Sequence, residues 1–148
     1  MRVGRMLAAA VLTCLTLADA GGLRAQPAAL TAESFSNIAY ADIETWNSSG
    51  CSFAVFRGED NLGLFDTEDP KKTGVFKVDG KLLFVPAGPK EKGAYWAGTV
   101  AGNTVRLIKG KRDPKYKNDG GGQGGAGRME WSGPAGSGGI AVRWEEGC

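Results

Sequence analysis

The chain has 148 residues, 24 of them glycine, a hydrophobic fraction of 42% and a formal net charge of +2. That length suits a single domain, and the absence of histidine excludes Ser-His-Asp and Cys-His catalysis as well as histidine-ligated zinc. The small net charge hides an asymmetry. Asp42, Glu44, Glu59, Asp60, Asp66, Glu68 and Asp69 face only Arg57 in residues 42–69, whereas Lys and Arg outnumber Asp79, Glu91 and Asp113 in residues 71–117. If these segments occupy separate surfaces, the molecule is a dipole with a basic side.

Arg2 and Arg5 precede an uncharged, mostly apolar run at 6–18, and Ala18-Asp19-Ala20 supplies a small-residue cleavage site. This predicts a signal peptide at 1–20, with cleavage after Ala25 as the alternative. The run is shorter than the ~20 residues needed to span a bilayer, so the expected destination is periplasmic or secreted. Residues 21–50 read as a partly disordered lead-in. Phe35, Ile38, Ala39, Ile43 and Trp46 fit one helical face, but Ser34, Ser36, Asn37 and Thr45 are poor helix formers. A short helix and an extended strand both suit residues 31–46.

From residue 51 the pattern becomes that of strands. Residues 51–56 alternate, a turn at 58–61 leads into 62–65, and a polar loop spans 66–72. Residues 75–78 and 81–85 flank Asp79-Gly80, a sequence suited to a type I′ turn that pairs Val78 with Lys81 and Phe76 with Leu83. Apolar residues on both faces of this hairpin predict burial on both sides. A second hairpin, 95–101 with 104–108, is expected to turn at Gly102-Asn103 in type II′ geometry, opposing Val100 to Val105. Residues 109–127 read as a basic and then glycine-rich excursion. The last pair, 128–132 and 139–145, is joined across 133–138. The fold class is therefore all-β: a small antiparallel barrel or sandwich of about eight strands in hairpins, occupying 51–148.

Few motifs carry chemistry. Residues 120–125 match G-x-G-x-x-G, but no strand precedes them and no helix follows, so they read as a flexible loop and not a dinucleotide site. Lys109, Lys111, Arg112, Lys115 and Lys117, with Tyr116 among them, form a candidate anion-binding loop; a merely solvated loop is the competing interpretation. Export argues against nucleic acid as its partner. Asp66, Glu68 and Asp69 lack the spacing of a calcium loop, and adjacent Glu145 and Glu146 point to opposite faces of a strand. No catalytic residue, metal site or cofactor follows from the sequence. Cys51 and Cys148, left after leader removal in an exported protein, are expected to form a disulfide.

Gly50-Cys51-Ser52-Phe53, Val78-Asp79-Gly80-Lys81 and Gly147-Cys148 resemble the opening, hairpin and ending of small, uncharacterised secreted proteobacterial domains. More loosely, the chain is similar to the C-type lysozyme inhibitor family, which is exported, antiparallel and disulfide-tied. That family's Ser-Gly-x-Lys/Arg-Tyr loop is represented only by Lys92-Gly93-Ala94-Tyr95, so no inhibitory residue carries over. The expected function is non-enzymatic binding of an envelope polymer or protein. Inhibition of a glycan-cleaving enzyme is the alternative, and a carboxylate-only hydrolase a third reading.

Overall fold

The computed structural model describes residues 25–44, 46, 50–116 and 121–148. The expected leader at 1–20 and Lys117 lie outside them. Among the described residues eight strands form: β1 (Ser52–Arg57), β2 (Asp60–Asp66), β3 (Gly74–Val78), β4 (Lys81–Val85), β5 (Trp96–Val100), β6 (Asn103–Arg112), β7 (Gln123–Gly133) and β8 (Gly136–Gly147). They build one antiparallel sheet in the order β4-β3-β2-β1-β8-β7-β6-β5. Chain neighbours are sheet neighbours except across β4 and β5, while β1 pairs with β8.

The sheet curls into a nearly closed barrel with its seam between β4 and β5. The Gly88 N–H reaches Ala97 O at 2.8 Å, and the Trp96 indole N–H reaches Lys72 O at 2.8 Å, so the seam is bridged without a strand ladder. Among the described residues, the half made of β1–β4 and the half made of β5–β8 are joined by ladder hydrogen bonds only along β1–β8.

Period-2 alternation fills the interior. Phe53 and Val55 of β1, Phe76 and Val78 of β3, Val105 and Leu107 of β6, and Val142 and Trp144 of β8 share one buried cluster. A bulge between β1 and β2 leaves Leu62 as an extra residue between the Phe56↔Asn61 and Val55↔Gly63 pairs. Leu62 joins the interior with Phe65, whereas Leu64 packs outside. The first hairpin has the expected register, and Asp79 and Gly80 both adopt positive φ. Its second buried face is real at Val75, which packs outside the barrel with Leu64, Ala54 and Ile38.

The second hairpin departs from expectation. Its turn is Ala101-Gly102, both with positive φ, so Val100 faces Asn103 and Val105 faces Gly98. Asn103 is drawn out of the turn because its side chain is buried, donating to Ala28 O at 3.2 Å and Ala101 O at 3.0 Å. Moving the turn by one residue shifts each cross-strand partner by two, so Trp96, Val100, Val105 and Leu107 keep a common buried face.

The expected excursion at 109–127 is largely strand, since β6 runs to Arg112 and β7 begins at Gln123. Likewise, the connection expected at 133–138 shrinks to Pro134-Ala135, with Gly133 facing Gly136. The cause is tryptophan. Trp131 lies opposite Gly138, where a Cβ would collide with the indole, and Trp144 lies opposite Gly125, where a Cβ would collide with the Lys111 carbonyl oxygen and press on the indole. Glycines that suggested loops are thus the flat floor on which large rings rest.

The lead-in uses both of its expected conformations. Residues 32–34 form a single 3₁₀ turn, Phe35 bridges to Val78, and Tyr40–Ile43 form one helical turn, α1. The Ser36 N–H donates to Lys77 O and the Ile38 N–H to Asn61 O, so the segment fills the gap where β2 and β3 splay. Leu30 and Phe35 enter the barrel interior, whereas Ile38, Ile43 and Trp46 pack on its outside.

Candidate functional site

Up-and-down topology sorts the connections between two ends of the barrel. The tight turns at 58–59, 79–80, 101–102 and 134–135 share one end with the 3₁₀ turn. The longer β2–β3 and β6–β7 connections leave from the other end, where Cys51 and Cys148 also lie. Their sulfurs are 2.10 Å apart, at bonding distance, one residue beyond the terminal Ser52↔Gly147 pair of the β1–β8 ladder.

Charge follows the same division. The tight-turn end carries Glu33, Glu59, Asp60 and Asp79 against Arg57 and Lys81. At the other end Lys71, Lys72, Lys111, Arg112 and Lys115 are all exposed. Acids there are partly occupied. Asp69 lies below the usual carboxylate range because of hydrogen bonding from the Thr73 side chain, and then from the Thr73 and Lys71 N–H groups. Asp113 accepts the Lys115 N–H at 2.8 Å.

The structure separates the candidate anion-binding residues. Lys109 is not part of an exposed loop. Its ammonium donates to Glu146 Oε2 at 2.5 Å and sits 4.3 Å from the Trp144 ring centre, with the Tyr95 and Phe53 rings at 5.4 and 5.8 Å. Glu146 also accepts from the Tyr95 hydroxyl at 3.3 Å and from the Gln123 amide at 3.2 Å. Lys109 is thus neutralised under the barrel mouth. Lys111 and Arg112 close β6, and Lys115 follows in the turn; all three are exposed, and Lys117 is not among the described residues. Above the Glu146 network lies a concavity of about 660 Å³, lined by Thr67, Glu68, Arg112, Gln123 and Cys148.

The other singled-out residues do not converge. Glu145 and Glu146 face opposite ways, as expected: Glu146 joins the Lys109 network, while Glu145 pairs with Arg143, whose guanidinium lies 4.7 Å from the Phe56 ring centre. Tyr95 stacks on Phe53 with ring centres 4.0 Å apart, so the Lys92–Tyr95 stretch turns its aromatic inward. The sequence reading missed the Lys109–Glu146–Tyr95 network. Its signal was present, since Lys109 continues the inward parity of Val105 and Leu107, and Glu146 that of Val142 and Trp144.

Burial, then the Glu146 charge and hydrogen bond, push the Tyr95 hydroxyl well above its ordinary value. The folded state therefore keeps a proton that the unfolded state loses near pH 10. This contribution to stability is fully present below about pH 10 and declines as pH rises above it. Urea midpoints measured from pH 8 to 11.5 should fall more steeply in wild type than in Tyr95→Phe; parallel curves would remove Tyr95 as the cause.

No protein-family model matches the chain, and neither does a curated protein or a solved structure. Among the described residues, no helix is long and apolar enough to cross a membrane.

Proposed function

We propose that this protein is an exported, non-enzymatic binding protein of the cell envelope that holds an anionic polymer at the disulfide end of its barrel. The observation that carries this reading is the division of labour among the cations. Lys109 is consumed internally by Glu146, whereas Lys111, Arg112 and Lys115 stay exposed, with Arg112 on the wall of an open mouth. The excess of exposed cations at this end, Lys71, Lys72, Lys111, Arg112 and Lys115 against Glu68 and Asp113, attracts polyanions and concentrates them locally.

Export is supported by the leader pattern at 1–20 and by the bonded pair Cys51–Cys148, since disulfides persist in oxidising compartments. A binding role is favoured over catalysis because two of the carboxylates bordering the concavities have structural duties, Glu145 tied to Arg143 and Glu146 to Lys109, which leaves Glu44 in one concavity and Glu68 in the other.

Retention on an immobilised acidic polysaccharide tests the reading. Wild type should bind at 0.1 M salt and lose at least about tenfold in affinity by 1 M, where the Debye length has shrunk from about 10 Å to about 3 Å. The variant with Lys111, Arg112 and Lys115 replaced by Ser should already be weak at 0.1 M. Equal retention of the variant and wild type would sink the proposal.

A further inference from the structure

A second concavity lies on the outer wall of the barrel. It measures about 570 Å³, within the range of about 300–1,000 Å³ typical of small-molecule sites. Tyr40, Ile43 and Trp46 of the lead-in segment form one side, and Phe56 of β1 the other, with Glu44 and Asn61 at its polar edge. Tyr40 is 79% exposed, an unusual position for an aromatic ring in a segment otherwise anchored by Ile38 and Trp46.

The charge of this groove is almost cancelled. Glu145 is paired with Arg143, and Asp42 of α1 is held by Lys77 at 2.9 Å, leaving Glu44 as the net charge. Such a groove gains little from a ligand that brings charge alone. It suits a ring with an apolar C–H face to lie on aromatic side chains and hydroxyl donors at its edge to meet carboxylate and amide oxygens. A pyranose sugar has both.

The groove also adjoins the mouth. Both are lined by Glu146, Gly147 and Cys148, so they flank the Cys51–Cys148 bridge, and a chain leaving the groove over that bridge arrives at Arg112. We infer that the anionic polymer is an acidic polysaccharide, one sugar ring of which stacks in the Tyr40–Phe56 groove while its anionic groups reach Arg112, Lys111 and Lys115. This inference rests on the proposed role of the basic end, and it excludes polyanions without rings from the groove.

The full mature chain is titrated at 0.1 M salt with polygalacturonate and, separately, with polyphosphate, which supplies charge but no sugar ring. Tyr40→Ala should bind polygalacturonate about fivefold more weakly, as truncation of a contacting aromatic typically does, and polyphosphate as well as wild type does. The triple Ser variant should bind both more weakly. Because Tyr40 is exposed, Tyr40→Ala should keep the wild-type melting temperature, so a loss of binding is not a loss of fold. Unchanged polygalacturonate binding by Tyr40→Ala, or equal weakening toward both polymers, overturns the groove assignment and leaves the basic end standing. A triple variant that binds both polymers like wild type overturns the basic end, and the inference with it.

Discussion

Replacing Cys148 with Ser should lower the melting temperature by about 10 °C or more. The bond closes a loop with a sequence separation of 97 residues, for which chain-entropy reasoning gives about 4.7 kcal/mol at ~100 residues. At roughly 2–8 °C per kcal/mol for a domain of this size, the shift is large. Topology concentrates the effect. Among the described residues, the β1–β8 ladder is the hydrogen-bonded joint between the two halves, and the seam opposite it, between β4 and β5, has no ladder to share the load. Freed of the bond, β8 remains paired to β7 along its length, so it should part from β1. Amide exchange should therefore accelerate first at Phe53–Phe56 and at the facing residues Arg143–Glu146. Wild type in reductant should match the Ser variant. Identical melting of oxidised wild type and variant would show that the joint holds without its staple.

The legibility of this fold depended on whether the deciding interaction was local. Asp79-Gly80 carries its own turn geometry, so the register of β3 and β4 was readable from a few adjacent residues. Gly102-Asn103 looked equally local, but Asn103 answers to Ala28, far away in sequence, and its turn moved. The glycine-rich stretches failed for the same reason. Gly125 belongs in a strand because it lies between Trp144 and the Lys111 carbonyl, and Gly138 because Trp131 lies across it; neither arrangement is visible until the strands are aligned. The basic loop was misread where its alternation continued unnoticed. Lys109 keeps the inward parity of β6, so the cation nearest the strand is structural, and only those beyond it are available to a ligand. The outer-wall groove was least legible, because it forms between the lead-in and β1, β2 and β8, and needs tertiary placement to exist.

Trp144→Ala should be among the most destabilising single substitutions in the barrel. Trp144 is 1% exposed and stacks on Phe53 at a ring-centre distance of 6.1 Å and an interplanar angle of 15°. Its indole N–H donates to Ala126 O at 3.0 Å, so one side chain fills the space above Gly125 and Gly127 and satisfies a carbonyl of β7. Truncating a buried Trp to Ala costs about 3–5 kcal/mol when the cavity cannot collapse. Here the cavity floor is glycine, which has no side chain to move in. Lys109 loses its nearest aromatic face as well, a contact of about 0.5–2 kcal/mol when partly desolvated, so the ammonium would depend more heavily on Glu146. Trp144→Phe keeps much of the volume but loses the indole donor, and should cost clearly less, nearer the ~1–3 kcal/mol of an unsatisfied buried polar group. Urea denaturation of the two variants measures the difference. Trp144→Ala should shift the midpoint most, with the slope preserved if the barrel remains a single cooperative unit. Equal midpoints for the Ala and Phe variants would mean that the indole hydrogen bond, and not the filled volume above the glycines, sets the contribution of this residue.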